Sequence, residues 1–314
     1  MEPSLAMANC QCEDFSFEIS SGNPLHPFWA FNSTVIPDGN LNFAEQIWSN
    51  LYAGRNEALV TGVLSFVLHE LVYFGRCIPF MIADYIPSFK KYKLQQDKPN
   101  TPEIQWKCFK GVLFGHFFVE LPLISLFHPT ATLFGMQITQ VPFPHWQTMA
   151  MQIAFFFVFE DTFHYWFHRL LHYGPFYKHI HKQHHEYAAP FGLCAEYAHP
   201  VEVLILGTGT IGGPLLWVMA TGNLHIITVY IWITLRLLQA IDAHSGYDFP
   251  WSLRHFLPFW SGAEHHDYHH MAFVNNYSTS FRWWDAMMGT DKKYRAYRSR
   301  QKKEREAQDT KKSN

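Results

Sequence analysis

The chain has 314 residues, with 24 Lys and Arg against 26 Asp and Glu and a formal net charge of −2. That balance lacks the basic footprint of a nucleic-acid-binding protein, so no nucleic-acid partner is expected. Only 16% of the residues are charged while 18% are aromatic; a soluble enzyme carries about 25% charge, so much of this chain is expected out of water.

Residues 1–57 are polar, mildly acidic and sustain no hydrophobic period. No basic segment precedes an apolar core there, so no cleaved signal peptide is visible. Asn32-Ser33-Thr34 is a glycosylation sequon, usable only on a lumenal segment. The five cysteines (Cys10, Cys12, Cys77, Cys108, Cys194) have neither metal-site nor disulfide-framework spacing.

Apolar runs follow at 58–86, 111–134, 145–167, 201–220 and 224–241. The first is interrupted by His69, Glu70, Arg76 and Asp84, the second by Glu120-Leu121-Pro122, and Thr221-Gly222-Asn223 separates the last two. A spanning helix needs about 20 mainly apolar residues, so four or five crossings are expected. Lys90, Lys91, Lys93, Lys98 and Lys107 mark the loop after the first run as cytosolic. Counting from that loop puts the N-terminus in the lumen, and all histidine-rich stretches and the C-terminus in the cytosol. From Lys292 the tail alternates basic and acidic residues, as a solvated helix or disorder would. It ends Lys311-Lys312-Ser313-Asn314, which resembles the dilysine retrieval signal of endoplasmic-reticulum membrane proteins. The division expected is a lumenal segment 1–57, a membrane-embedded catalytic domain 58–291 and a charged cytosolic tail 292–314.

The composition is most unusual in its 20 histidines. His164, His168 and His172 recur every four residues, a stripe on one helix face. His181-Lys-Gln-His184-His185 and His266-Asp-Tyr-His269-His270 share the spacing i, i+3, i+4, and His265 precedes the second of them. Isolated histidines (His26, His69, His116, His128, His145, His225, His255) are expected to be hydrogen-bonded packing residues. Packing gives no reason to repeat HxxHH, so the clusters are read as metal ligands. One catalytic zinc needs three ligands and an open position; eight histidines are too many for a single ion. Carboxylate-bridged di-iron bundles use Glu-x-x-His, whereas Glu160 lies four residues before His164. Imidazole suits Fe, Zn, Cu and Ni; abundant neutral nitrogen around two ions favours iron used for oxygen chemistry, with zinc left open. The fold class expected is all-α: a multi-span membrane helical bundle with a cytosolic histidine-rich helical cap holding a dinuclear metal site.

The HX3H, HX2HH and later HX2HH boxes resemble the fatty acid hydroxylase/sterol desaturase superfamily. Phrases around them, Glu160-Asp161-Thr162, Ala195-Glu196-Tyr197-Ala198-His199-Pro200, Asp242-Ala243-His244-Ser245-Gly246-Tyr247-Asp248 and Asn276-Tyr277 through Trp284-Asp285 to Gly289-Thr290-Asp291, together with Lys90-Lys91-Tyr92-Lys93 and Asp97-Lys98-Pro99, are similar to its sterol-oxidising members. The resemblance spans roughly 59–294. It implies His168, His172, His181, His184, His185, His266, His269 and His270 as ligands of two Fe ions and as the catalytic set, with His244 as a further ligand. Fatty-acyl members would place another histidine four residues before His244, but Ala240 stands there; His164, His199, His265 or a water are the candidates to replace it. Asp161, Glu196 and Asp267 are expected to orient ligand rings.

The implied activity is O2-dependent oxidation of the C4 methyl of 4-methylsterols, through alcohol and aldehyde to acid, beside other enzymes of sterol C4 demethylation. O2 is the co-substrate, and electrons come from NAD(P)H via cytochrome b5. Phe163, Tyr165, Trp166, Trp283 and Trp284 are expected to wall the cavity or to pack in core and interface. Gly207-Thr-Gly209-Thr-Ile-Gly212 fits GxGxxG literally but lies in an apolar run with no preceding strand; with Gly213 it reads as GxxxG helix packing. The rival readings are a hydroxylase or desaturase of another membrane lipid and a metal transporter with histidine-rich loops.

Overall fold

The computed structural model describes residues 41–313, so the Asn32 sequon, Cys10, Cys12 and His26 lie outside the described residues. Those residues contain no strand, only isolated bridges, and the all-α expectation holds. Helix α1 is Phe43–Tyr52, in a stretch where no hydrophobic period is sustained. Its signal is a capping box: Asn42 accepts from the Glu45 N–H, and the Glu45 carboxylate accepts from the Asn42 N–H. Trp48 ties it down by donating to the Ile138 carbonyl at 2.9 Å.

Helix α2 (Glu57–Tyr85) is capped by Asn56. Helix α3 (Pro102–Gly115) runs through a π-helical turn, His116–Glu120, into α4 (Leu121–Leu133). Pro122 has no N–H to give to the helix ladder, and a wider turn before it accommodates the loss. Helix α5 is Trp146–Leu171; α6 (Pro200–Thr221) and α7 (Ile226–His244) are joined by Gly222 at φ +64°, a left-handed turn that suits glycine. The histidine end is closed by α8 (Gly262–Ala272) and α9 (Trp283–Met288), and α10 (Lys292–Ser313) leaves it as an exposed charged helix.

Among the described residues, four helices are long and apolar enough to cross a membrane: α2, the continuous 102–133 helix, α6 and α7. Their outward residues, such as Leu59, Leu71, Phe118 and Leu133, are exposed and apolar, as lipid-facing surfaces require. Helix α5 does not meet that hydropathy criterion, since it carries Gln152, Glu160, Asp161, His164 and His168. It runs antiparallel along α6 nonetheless: Gln152 donates to the Asn223 carbonyl beyond one end, and beyond the other His181 meets Glu202. Between them a glycine stripe admits its aromatics. A Cβ on Gly209 would lie 2.6 Å from the Phe163 ring, and one on Gly213 3.3 Å from Phe159 and 3.5 Å from the Phe156 backbone. The GxGxxG sequence is thus a helix-packing surface.

Candidate metal centre

Nine histidines from five segments meet at the end of the bundle where α5 and α7 terminate. His168 and His172 come from the last turn of α5 and the residue closing it. The second box is not one α-helix: His181 ends a π-helical turn (Tyr177–His181), and His184 and His185 lie in a 3₁₀ turn. The third box lies on α8, and His244 ends α7.

They form two groups, His168, His172, His181, His185 and His269 in one, and His184, His244, His266 and His270 in the other. The two HxxHH boxes divide in opposite senses. Members at i and i+4 share a group (His181 with His185, His266 with His270), and the i+3 member (His184 or His269) crosses to the neighbouring one. The groups adjoin, with the His185 and His270 rings 4.6 Å apart.

Every one of these rings presents Nε2 to its group. In the larger group the Nε2 separations are 3.1 Å for His168–His181, His172–His269, His181–His185 and His185–His269. In the smaller they are 3.2 Å for His184–His244, 2.8 Å for His244–His266 and 3.2 Å for His266–His270. The opposite nitrogen sets the ring. Nδ1–H of His168 donates to the Tyr277 carbonyl (2.8 Å), His244 to Ala240 (2.8 Å), His269 to Asn275 (2.6 Å), His270 to Tyr187 (3.1 Å) and His184 to Tyr197 (3.3 Å). His181 donates to the Glu202 carboxylate at 2.8 Å.

The carbonyl partners only accept, so the single proton of each neutral ring they hold sits on Nδ1 and Nε2 carries a bare lone pair. His184 faces His244 in that state, lone pair toward lone pair. A metal cation between them turns the repulsion into coordination, and the donor set therefore fits metal ions. Neutral rings are also what ligation requires. Burial pushes His184 down to about 4 and His172 to about 3, and lowers His269 and His270 well below the ordinary imidazole range.

His164, His199 and His265 join neither group. His164 faces Glu160 at 3.3 Å, His199 caps α6 through the Val201 N–H, and His265 packs against Tyr294 near Asp285. The expected ring-orienting carboxylates also act elsewhere. Asp161 accepts from the Ser280 and Phe281 N–H groups, Asp267 from Gln95, and Glu196 meets His69 and His116. Orientation falls instead to Glu202 and to backbone carbonyls.

A cavity of 430 Å³ abuts both groups, within the roughly 300–1,000 Å³ of small-molecule sites. His168, His181, His184, His244 and His266 form its histidine end; Leu123, Phe127, Ile211, Leu215, Val229 and Ile233 are among its apolar walls. Ala240 lines it too, so the position lacking a histidine opens onto the cavity. The aromatics expected as its walls pack instead: Tyr165 stacks on Trp284 at 5.8 Å, and Phe163 fills the glycine stripe.

A third group was missed in the sequence. His69, His116, Glu120 and Glu196 converge from α2, the π-helical turn and the turn at Gly192–Glu196. The available signal was acidic and imidazole side chains inside two apolar runs, which membrane burial makes expensive.

Residues 153–290 match the family model for fatty acid hydroxylase. Among curated proteins the chain is 58% identical over 261 residues to "C-4 methylsterol oxidase erg25" of Schizosaccharomyces pombe, covering 83% of this chain and 87% of that one. It is 60% identical to "Methylsterol monooxygenase erg25B" of Aspergillus fumigatus (80% and 85% covered) and 47% identical to "Methylsterol monooxygenase 1" of Rattus norvegicus (76% and 80%). No solved structure matches the chain.

Proposed function

We infer the reaction from one premise: the chain belongs to the fatty acid hydroxylase family, among the methylsterol monooxygenases. The reading is O2-dependent oxidation of the C4 methyl of a 4-methylsterol, through alcohol and aldehyde to carboxylic acid, in sterol biosynthesis. The observation that carries it is the paired convergence of nine Nε2 atoms at one end of an apolar cavity. His168, His172, His181, His185 and His269 would hold one iron, and His184, His244, His266 and His270 the other. When bound, the pair supplies the O2 reduction and hydrogen abstraction from an unactivated C–H bond that no side chain performs alone.

The protein's own contribution is placement. Fixed Nδ1 bonds aim six of the nine rings before any metal arrives, and burial keeps the rings neutral. The apolar walls take the sterol skeleton from the bilayer and keep bulk water from the histidine end. Beside that end stand the polar groups a sterol A-ring needs, because its 3-hydroxyl adjoins C4. Arg236 is held by Glu160 (2.8 Å) and Gln239 (2.6 Å), and Arg236, His164 and Thr279 line the cavity. Ala240 leaves space for the methyl group where a further imidazole would stand.

The setting proposed is the endoplasmic-reticulum membrane, with histidines and C-terminus cytosolic, where cytochrome b5 passes on electrons from NAD(P)H and other C4-demethylation enzymes take the acid. The domain division proposed is a catalytic unit over 58–291 between a lumenal 1–57 segment and the tail.

Membranes containing the full chain, supplied with iron, NADPH, cytochrome b5, its reductase and a 4,4-dimethylsterol under ¹⁸O2, test the reading. Mass spectrometry should find ¹⁸O in C4 alcohol and acid products, absent with His269→Ala. An intact C4 methyl alongside oxidation of another lipid would overturn the substrate, and no oxygen incorporation would overturn the reaction.

A further inference from the structure

Three carboxylates and two histidines share one pocket in the wall of the bundle, apart from the nine-histidine centre. Glu70 Oε1 accepts from His116 Nδ1 at 2.8 Å and from His69 Nδ1 at 3.2 Å. One carboxylate thereby fixes two rings and turns both Nε2 atoms the same way, toward Glu120 and Glu196. His69 Nε2 is 3.1 Å from Glu120 Oε2 and 3.3 Å from Glu196 Oε1; His116 Nε2 is 3.0 Å from Glu196 Oε2.

These contacts are close without all being hydrogen bonds. His116 is fully buried, and its Nε2 and the facing Glu196 Oε2 make no hydrogen bond despite their separation. The fully buried His116 Nε2 is therefore open to another partner on that side. The ligand atoms of His69, His116, Glu120 and Glu196 all lie within 4.8 Å of one another. Four ligands about 2.0–2.2 Å from a tetrahedral ion stand about 3.3–3.6 Å apart, close to the contacts seen.

Charge points the same way. Among the described residues no Lys or Arg forms an ion pair with Glu70, Glu120 or Glu196; their ion-pair partners are His69 and His116 alone. Three carboxylates beside two imidazoles leave a negative charge unbalanced even with both rings protonated, which is costly at membrane depth, and a divalent cation removes most of that cost. His116 and Glu120 stand four residues apart, the spacing that puts both on one side of the 102–133 helix, and the π-helical turn spans the two.

We propose that His69, His116, Glu120 and Glu196 form a third metal site, taking one divalent transition-metal ion, with Glu70 as the carboxylate that orients both imidazoles. Two nitrogens and two oxygens in a closed set match Zn²⁺. The ion ties α2, the π-helical turn and the Gly192–Glu196 turn together, three segments that flank the cavity on the way to the histidine centre. It takes no part in oxygen chemistry.

The test is the divalent-metal content of the purified full chain, measured by mass spectrometry after loading with Zn²⁺ and removal of loose ions. Glu120→Gln, which keeps the side chain's shape, should lose one equivalent relative to wild type, however many ions the histidine groups hold. A His181→Ala/His184→Ala/His185→Ala/His266→Ala/His269→Ala chain keeps only two imidazoles in each histidine group, too few for a zinc site; it should retain the third site's ion, and its zinc X-ray absorption should show two imidazole nitrogens and two oxygens. If Glu120→Gln does not fold, that spectrum decides alone: a shell without the two-nitrogen, two-oxygen set overturns the site. Equal metal content in wild type and folded Glu120→Gln overturns it as well, leaving protons as what balances the cluster.

Discussion

At the residue scale the two histidine groups depend on the ring nitrogens that face away from them. His168, His184, His244, His269 and His270 are steered by carbonyl oxygens, and only His181 is steered by a side-chain carboxyl group, Glu202. Partners of this kind are worth about 10–100-fold in metal affinity. Glu202→Gln keeps an oxygen facing His181 Nδ1 but removes the carboxyl group that would strengthen the ring as a donor to a bound cation. Affinity of the five-histidine group for Fe²⁺, read by competition with a chromophoric chelator, should fall by about that factor while helix content stays unchanged. Unchanged affinity would mean that Glu202 serves packing alone.

The two histidine groups were legible in the sequence because HxxHH has no packing rationale. Their supports were not, because a carbonyl leaves no residue-type signal. Asp161, Glu196 and Asp267 looked like the obvious orienting groups, yet each is committed elsewhere. The phrases flanking the boxes make sense only with the fold in hand. Asp285 accepts from the Tyr277 and Ser278 N–H groups and from Thr290 Oγ1, fixing the loop that lends the Tyr277 carbonyl to His168. Asn275 and Asn276 take left-handed backbone angles that asparagine tolerates, and the Asn275 carbonyl reaches His269.

At the scale of elements, the opposite splitting of the two boxes explains their shared spacing. Residues i and i+4 reach one point and i+3 reaches another about 100° around the axis, so a single turn of chain can serve two ions. The sequence suggested three imidazoles on one helical face; the structure uses the same spacing to straddle two groups, and builds the second box from π and 3₁₀ turns. The aromatic run of α5 was legible as an apolar segment, but its pairing with the glycines of α6 came only from GxxxG. Gly209→Val would drive a side chain into Phe163 and should destabilise the chain by about 1–3 kcal/mol, typical of overpacking. Thermal unfolding in detergent reads this against Gly75→Val, a helical glycine with open space around it. Equal melting temperatures for the two would contradict close α5–α6 packing.

At the scale of the molecule, apolar helices enclose a cavity whose one end is lined with nitrogen. Its ionisable groups gather at that end, at Arg236 with Glu160, and at the His69–Glu196 cluster; many outward residues are apolar and face lipid. The bundle and its histidine end were legible from the apolar runs and boxes. The third cluster was not, because His69, the His116–Glu120 pair and Glu196 come from three segments far apart in sequence, each of which looks like an interruption of an apolar run or loop.

The central claim is that two histidine groups hold two iron ions together. Its most direct measurement is the iron bound per purified full chain after anaerobic Fe²⁺ loading, compared between wild type and His181→Ala/His184→Ala/His185→Ala/His266→Ala/His269→Ala, which leaves only two imidazoles in each group, too few to hold an ion. The expected difference is two ions per chain, whatever else binds iron. A difference of one ion or none would contradict the paired centre.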